Sequence, residues 1–328
     1  MQDTILLSKD YDPRINVVFH YSAGPGLRAS LNDAAGDDLT VEDCPESDDA
    51  RFAGLMTEAD ALWHLLKPVT AEVIERAPRL RLIQKIGVGV NTIDLEAAQE
   101  QDIAVCNLPG TNSRAVAELA LLLMLGALRR SSTYDRATRA GEGWSLGGEI
   151  GDTLGEVGGR TVGLVGYGAV PRILAPILQA FGARVLYTAT RPRDDAAGEW
   201  RELPQLLAES DVVSLHVPQT PETERLINSD TLSQMKPGAI LVNTARGGLV
   251  DEPALVAALE SGQLRAAGLD VFAAEPVDPA NPLLSLENVV LAPHIGWLTP
   301  ETFERSFAIA SDNVRRLRDG RDLLNRVV

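Results

Sequence analysis

Three side chains able to do acid–base and carboxylate chemistry stand just beyond apolar runs in the last third of the chain. Arg246 follows Ala-Ile-Leu-Val-Asn-Thr-Ala, Glu275 follows Gly-Leu-Asp-Val-Phe-Ala-Ala, and His294 follows Val-Val-Leu-Ala-Pro. The runs read as strands of a parallel sheet, and in open parallel sheets ligands bind beyond the carboxyl ends of the strands. An imidazole that titrates near neutral pH can deliver a proton to a developing alkoxide. A carboxylate beside it favours the imidazolium form and fixes the ring. A guanidinium grips a carboxylate with two parallel bonds. Together the three can bind a 2-oxo acid, orient it and protonate it. Each alone has a plainer explanation: a structural histidine, a Glu275-Pro276 turn, an arginine capping a sheet end. Their joint occurrence in one predicted sheet carries the chemical reading.

A second constellation lies upstream. Thr161-Val-Gly-Leu-Val-Gly-Tyr-Gly-Ala-Val-Pro171 runs from a β-branched strand into glycines and then into a helical periodicity over 172–181. In a strand–turn–helix dinucleotide site the first Gly makes the tight turn, the second lets backbone approach the pyrophosphate, and the third allows close helix–strand packing. Gly166 and Gly168 hold the first two positions and Pro171 the third. Proline is tolerated in the first turn of a helix, so the amides of Ala169 and Val170 remain the phosphate-binding candidates. About 20 residues on, NAD sites usually carry Asp or Glu for the ribose hydroxyls. The segment Thr188-Ala-Thr190-Arg191-Pro-Arg193 has no acid, two hydroxyls and two guanidiniums. Thr188, Thr190, Arg191 and Arg193 therefore favour the 2′-phosphate of NADP(H). NAD(H) bound without its acid, with the arginines as solvated loop charges, is the alternative.

The elements that must position these groups alternate between strand and helix. Strands are expected over 16–21, 39–41, 59–66, 81–86, 161–165, 183–187, 212–217, 239–243, 267–271 and 289–292. Helical periodicity covers 24–35, 70–76, 94–101, 112–140, 252–261 and 300–318. Such alternation implies parallel α/β sheets, and 328 residues suffice for about two domains. With 30 basic and 46 acidic residues the net charge is −16, which disfavours nucleic acid and anionic membrane as partners. The start, Met-Gln-Asp-Thr-Ile-Leu-Leu-Ser-Lys, has no basic and then apolar leader pattern, so no secretory signal is expected. Cys44 and Cys106 form no disulfide framework and fit a reducing cytoplasm. No metal site is read. The apolar stretch 115–128 is interrupted by Glu118 and too short to span a bilayer. Its hydrophobic surface predicts a two-fold homodimer.

Five segments resemble the signatures of the D-isomer-specific 2-hydroxyacid dehydrogenases, in particular their glyoxylate/hydroxypyruvate reductase-like branch. They are Lys85-Ile-Gly-Val-Gly-Val-Asn-Thr-Ile-Asp94, Asn107-Leu-Pro-Gly-Thr-Asn-Ser-Arg-Ala-Val-Ala-Glu118, Val242-Asn-Thr-Ala-Arg-Gly-Gly-Leu-Val-Asp251, Leu269-Asp-Val-Phe-Ala-Ala-Glu-Pro276 and Leu291-Ala-Pro-His-Ile-Gly296. The resemblance implies two doubly wound parallel-sheet α/β domains. Residues 1–106 with 296–328 would form a flavodoxin-like substrate-binding domain, and 107–295 a Rossmann dinucleotide-binding domain. It implies that Arg246 binds substrate, that Glu275 partners His294, and that His294 is the acid/base. It assigns the amides of Val88 and Gly89 to the substrate carboxylate. His216, Val217, Pro218, Thr223, Thr244, Ala245, Asp270 and Gly296 are assigned to the cofactor cleft. Three departures stand out: Pro171 for the third glycine, Asn91 where Asp is frequent, and Gly296-Trp297-Leu298 where small residues usually follow the histidine. Trp63 and Trp297 either reshape the substrate pocket or pack as aromatic filler. The expected activity is hydride transfer between NADP(H) and a small 2-oxo or 2-hydroxy acid. A sister dehydrogenase of a phosphorylated hydroxy acid, or a cofactor-sensing binding protein of the same fold, are the alternatives.

Overall fold

The computed structural model describes residues 14–328; the amino-terminal stretch read above for a leader lies outside them. The chain divides into two units, one of Met1–Asn112 with Leu298–Val328 and one of Ser113–Trp297.

The first unit is built on a five-stranded parallel sheet: β1 (Ile15–His20), β2 (Leu39–Cys44), β3 (Ala61–His64), β4 (Leu82–Lys85) and β5 (Ala104–Cys106), in the order β2-β1-β3-β4-β5. This is the flavodoxin-like order. β3 and β4 are buried throughout, as strands covered on both faces must be. The helix Pro300–Arg318 returns to this unit. Its Phe307 stacks on Trp63 at 5.5 Å and meets Phe19 edge-on at 5.4 Å, while Asn313 donates to Gln84 at 2.7 Å. Arg315 adds charge-assisted bonds to Asp38, and with Arg318 it holds that carboxyl at about 2.

The second unit carries seven parallel strands: β6 (Thr161–Val165), β7 (Arg184–Thr188), β8 (Glu199–Trp200), β9 (Val212–Leu215), β10 (Ala239–Asn243), β11 (Leu264–Leu269) and β12 (Val289–Leu291), ordered β12-β11-β10-β9-β6-β7-β8. The order reverses at β6 and β9, and ligands of open sheets bind at such a switch point. β9 and β10 are fully buried Val/Ile/Leu-rich runs.

Most predicted elements are present with ends moved by a few residues. The helix expected over 112–140 is two, Ser113–Arg129 and Ser131–Arg139, because Arg130 takes a left-handed conformation (φ 49°). Neither glycine nor proline marks that break. The helix Asp49–Met56 and the short strands β5 and β8 go beyond the sequence expectation. Two or three residues show no periodicity, and the helix is announced only by Asp48, whose side chain caps the Arg51 amide at 3.1 Å.

Candidate active site

The glycine turn follows β6. Gly166 adopts φ 100°, and a Cβ there would stand 2.7 Å from the His216 carbonyl oxygen, so only glycine fits. Its N–H donates to the Thr188 carbonyl at 3.0 Å, and the His216 N–H donates to the Val165 carbonyl at 2.7 Å. The turn is thus set between the ends of β7 and β9. Gly168 is the extended residue before the helix Ala169–Ala180, with open space around its α-carbon. Pro171 occupies the first turn and leaves the helix start in place, since amides there have no intrahelical partner. The amides of Ala169 and Val170 sit at that helix start, where backbone donors and the helix dipole favour an anion. A cradle that excludes a Cβ, opening on a helix N-terminus, fits a dinucleotide pyrophosphate.

At the end of β7, Thr188 and the following Ala189 are half-buried, and Thr190 and Arg191 are exposed. Arg193 is half-buried: its N–H donates to the Tyr187 hydroxyl at 2.7 Å, and that hydroxyl donates back to the Arg193 carbonyl at 3.3 Å. Two acids, Asp194 and Asp195, follow directly, just outside the acid-free segment read above. Asp195 is ion-paired with Arg172 of the adjacent helix, which also lies over the Tyr167 ring at 5.5 Å. Its charge is therefore compensated.

At the end of β9, Ser214 Oγ and His216 Nε2 are 2.9 Å apart. Burial pushes the His216 imidazole down to about 4, so it is neutral near pH 7. Val217 is half-buried and Pro218 exposed. Thr223 donates to the Pro218 carbonyl at 2.7 Å and accepts from the Thr220 amide at 2.8 Å, closing that loop on itself. Thr244 is buried.

Arg246, Glu275 and His294 come from three successive loops. After β10, the Asn243 side chain accepts from the Ala245 amide at 3.0 Å and donates to the Arg246 carbonyl at 2.9 Å, pinning the turn that presents Arg246. The Arg246 guanidinium donates to the Ala245 carbonyl at 2.6 Å; burial pulls its pKa down and the Glu275 charge opposes that. After β11, Glu275 Oε1 accepts from the Phe272 amide at 2.9 Å and Oε2 meets His294 Nδ1 at 2.6 Å. Burial raises the Glu275 pKa, but the His294 hydrogen bond, the Phe272 amide and the nearby charges of His294 and Arg246 more than offset it. The carboxyl lies below its ordinary value and is ionised near neutrality. After β12, His294 stands in a left-handed conformation (φ 55°). Asp270 holds that turn: its carbonyl accepts from the His294 amide at 2.7 Å, and its carboxylate accepts from Ile295 at 2.8 Å and Gly296 at 2.9 Å. Burial raises the Asp270 pKa and the two amides oppose it.

Asn243, Gly247 and Glu252 join the site without having been expected from sequence. Gly247 packs so closely on the Phe272–Ala273 backbone that a Cβ would overlap the Phe272 carbonyl. Glu252 accepts from the Ala273 amide at 2.6 Å and from Asn281 Nδ2 at 3.0 Å. No local pattern reports such contacts; Asp251-Glu252-Pro253 reads only as a helix start.

In the first unit, Val88 is exposed and Gly89 half-buried in the loop after β4, where the Val88 carbonyl accepts from Asn107 Nδ2 at 2.8 Å. Trp63 requires a correction. It is fully buried in its own unit's core, stacked on Phe307, so it presents no surface to a ligand. Its position inside a strand covered on both faces dictates this. Trp297 is buried as well. Among the described residues no group of three His, Cys, Asp or Glu is arranged to hold a metal, and no helix is long and apolar enough to cross a membrane.

Residues 121–296 match the model of the D-isomer specific 2-hydroxyacid dehydrogenase NAD-binding domain. Over 282 residues the chain is 42% identical to a glyoxylate reductase of Aeropyrum pernix, covering 83% of this chain and 84% of the relative. It is 40% identical over 294 residues to the D-3-phosphoglycerate dehydrogenase of Mycobacterium leprae, covering 88% of this chain but only 55% of that longer protein. The crystal structure of the TT0316 protein from Thermus thermophilus superposes with a TM-score of 0.84 at 39% identity, over 96% of this chain and 100% of the other. With its two parallel-sheet units and its nucleotide turn, the chain belongs to the D-isomer-specific 2-hydroxyacid dehydrogenase family of NAD(P)-dependent oxidoreductases.

Proposed function

We propose that the enzyme reduces a small 2-oxo acid, of the glyoxylate or hydroxypyruvate kind, to the 2-hydroxy acid, of D configuration where C2 is chiral, with NADPH. The observation that carries this reading is the Glu275–His294 contact of 2.6 Å beside the half-buried Arg246. When bound, the reduced dinucleotide supplies a hydride. Gly166, Gly168, Ala169 and Val170 would hold its pyrophosphate, and Thr188, Thr190, Arg191 and Arg193 its adenosine end. Arg246 grips the substrate carboxylate. His294 uses Nδ1 on Glu275, which leaves Nε2 to give its proton to the carbonyl oxygen. Ionised Glu275 favours the imidazolium before transfer and fixes the ring throughout. In the oxidising direction the same nitrogen takes the proton back. The free, buried thiols of Cys44 and Cys106 support a cytoplasmic setting.

The cofactor preference is tested by kcat/KM for NADPH and NADH in wild type and in Arg191→Ala/Arg193→Ala. Each charge-assisted contact to the 2′-phosphate is worth about 1.5–3 kcal/mol, so NADPH should lose roughly ten- to a hundredfold per contact while NADH is spared. A wild type that prefers NADH, or an equal loss for both cofactors, makes the two arginines plain loop charges.

A two-fold homodimer is the proposed assembly. The helix Ser113–Arg129 is largely buried, yet Leu122 on it is 62% exposed. Light scattering at micromolar concentration should give twice the chain mass, and Leu122→Asp should shift it toward the monomer. A monomeric wild type refutes the assembly.

A further inference from the structure

The acid/base pair rests on an exposed loop. Ala273, Ala274, Glu275 and Pro276 are all exposed, and locally the Phe272 amide holds Glu275 Oε1 at 2.9 Å. Two further contacts fix the loop itself, and both originate on the stretch of chain that carries Arg246. Gly247 presses its bare α-carbon onto the Phe272–Ala273 backbone. Glu252, in the first turn of the helix Glu252–Glu260, commits one carboxylate oxygen to the Ala273 amide at 2.6 Å and the other to Asn281 Nδ2 at 3.0 Å. Asn281 is itself fixed, since its Oδ1 accepts from the Leu283 amide at 3.0 Å. Glu252 thus ties together both ends of the loop 273–281 that bears Glu275.

We infer that Glu252 is a positioning residue of the reaction: through Ala273 and Asn281 it sets the Glu275 carboxylate on His294 and couples that pair to the Arg246 turn. The inference rests on the functional reading above. Glu252 touches none of the proposed reacting groups, so its effect passes through loop placement. A misplacement of about 1 Å in such a constellation can cost on the order of a hundredfold in rate. The charged groups facing the pair are Arg246 and Asp270. A loosened Glu275 no longer fixes the imidazole ring, so proton delivery from His294 slows while substrate binding is kept.

The test compares wild type, Glu252→Ala, Glu252→Gln and Asn281→Ala for kcat, KM of the 2-oxo acid and melting temperature. Glu252→Ala should lower kcat roughly ten- to a hundredfold with KM changed less than about threefold. Glu252→Gln keeps one acceptor for the Ala273 amide and should recover part of the rate. Should Glu252→Ala fail to fold, Glu252→Gln and Asn281→Ala each remove one of the two ties and must lower kcat with KM nearly unchanged. Folded variants with lowered melting temperature but unchanged kcat overturn the inference and leave Glu252 a scaffold residue. Wild type is measured first: absence of turnover on every 2-oxo acid overturns the functional reading itself, and is distinguished in that way from failure of the Glu252 role.

Discussion

Replacing His294 with alanine should lower kcat by about 10²–10⁴ while cofactor affinity stays within about twofold, because proton transfer is the lost contribution. The imidazole is the residue at the strand ends with one nitrogen committed to Glu275 and the other left for substrate. Its backbone, by contrast, is held independently of the ring, through the Asp270 carbonyl and the Asp270 carboxylate bonds to Ile295 and Gly296. The left-handed backbone at 294 makes alanine mildly strained, at about 1–2 kcal/mol. His294→Asn tolerates that conformation, lacks the acid, and should show the same loss. Steady-state kinetics together with direct cofactor titration checks both. Near-normal turnover in either variant sinks the assignment. Glu275→Gln weakens the contact that fixes the imidazole ring, so kcat should fall by roughly tenfold or more with little change in KM. An unchanged kcat would count against the pairing.

Arg246→Ala should reduce kcat/KM for the 2-oxo acid by roughly 10²–10⁴, since two charge-assisted bonds at about 1.5–3 kcal/mol each are lost. The loss should fall mainly on KM, with cofactor binding retained. Partial burial strengthens the interaction, because water competes less for a half-buried guanidinium, and the Glu275 charge opposes the lowering of its pKa. Arg246→Lys keeps the charge without the planar fork, so it should sit between wild type and alanine rather than near wild type. Asn243 and Gly247 are unaffected by either substitution, and the Ala273 loop should stay in place. A wild-type KM in Arg246→Ala would remove the residue from the substrate site.

The strand-end placement of Arg246, Glu275 and His294 is legible in the sequence because it is a local property. Arg246 and Glu275 each follow a largely buried apolar run and His294 an apolar edge strand, and the runs are visible in sequence as β10, β11 and β12. The nucleotide turn is legible for the same reason, and Pro171 leaves it intact because helix first turns ask for no N–H. What escapes depends on contacts between distant segments. Nothing around Glu252 announces that its carboxylate reaches residues 273 and 281. Nothing around Asp195 announces Arg172. Trp63 misleads because a large aromatic at a strand tip is weighed by its neighbours in sequence, whereas its fate is set by Phe307 from the far end of the chain. The left-handed Arg130 that splits the long helix likewise carries no local signal, since arginine is an ordinary helix former.

The most direct test of the account follows product as well as cofactor. Wild type and His294→Ala are given NADPH with glyoxylate, hydroxypyruvate and pyruvate in turn, and the chiral products of the latter two are resolved by chromatography. The account predicts one hydroxy acid formed per NADPH consumed, of the D configuration wherever C2 is chiral, and a loss of at least about a hundredfold in the variant. Consumption of no 2-oxo acid with either NADPH or NADH, an L product, or equal rates in wild type and His294→Ala would contradict it.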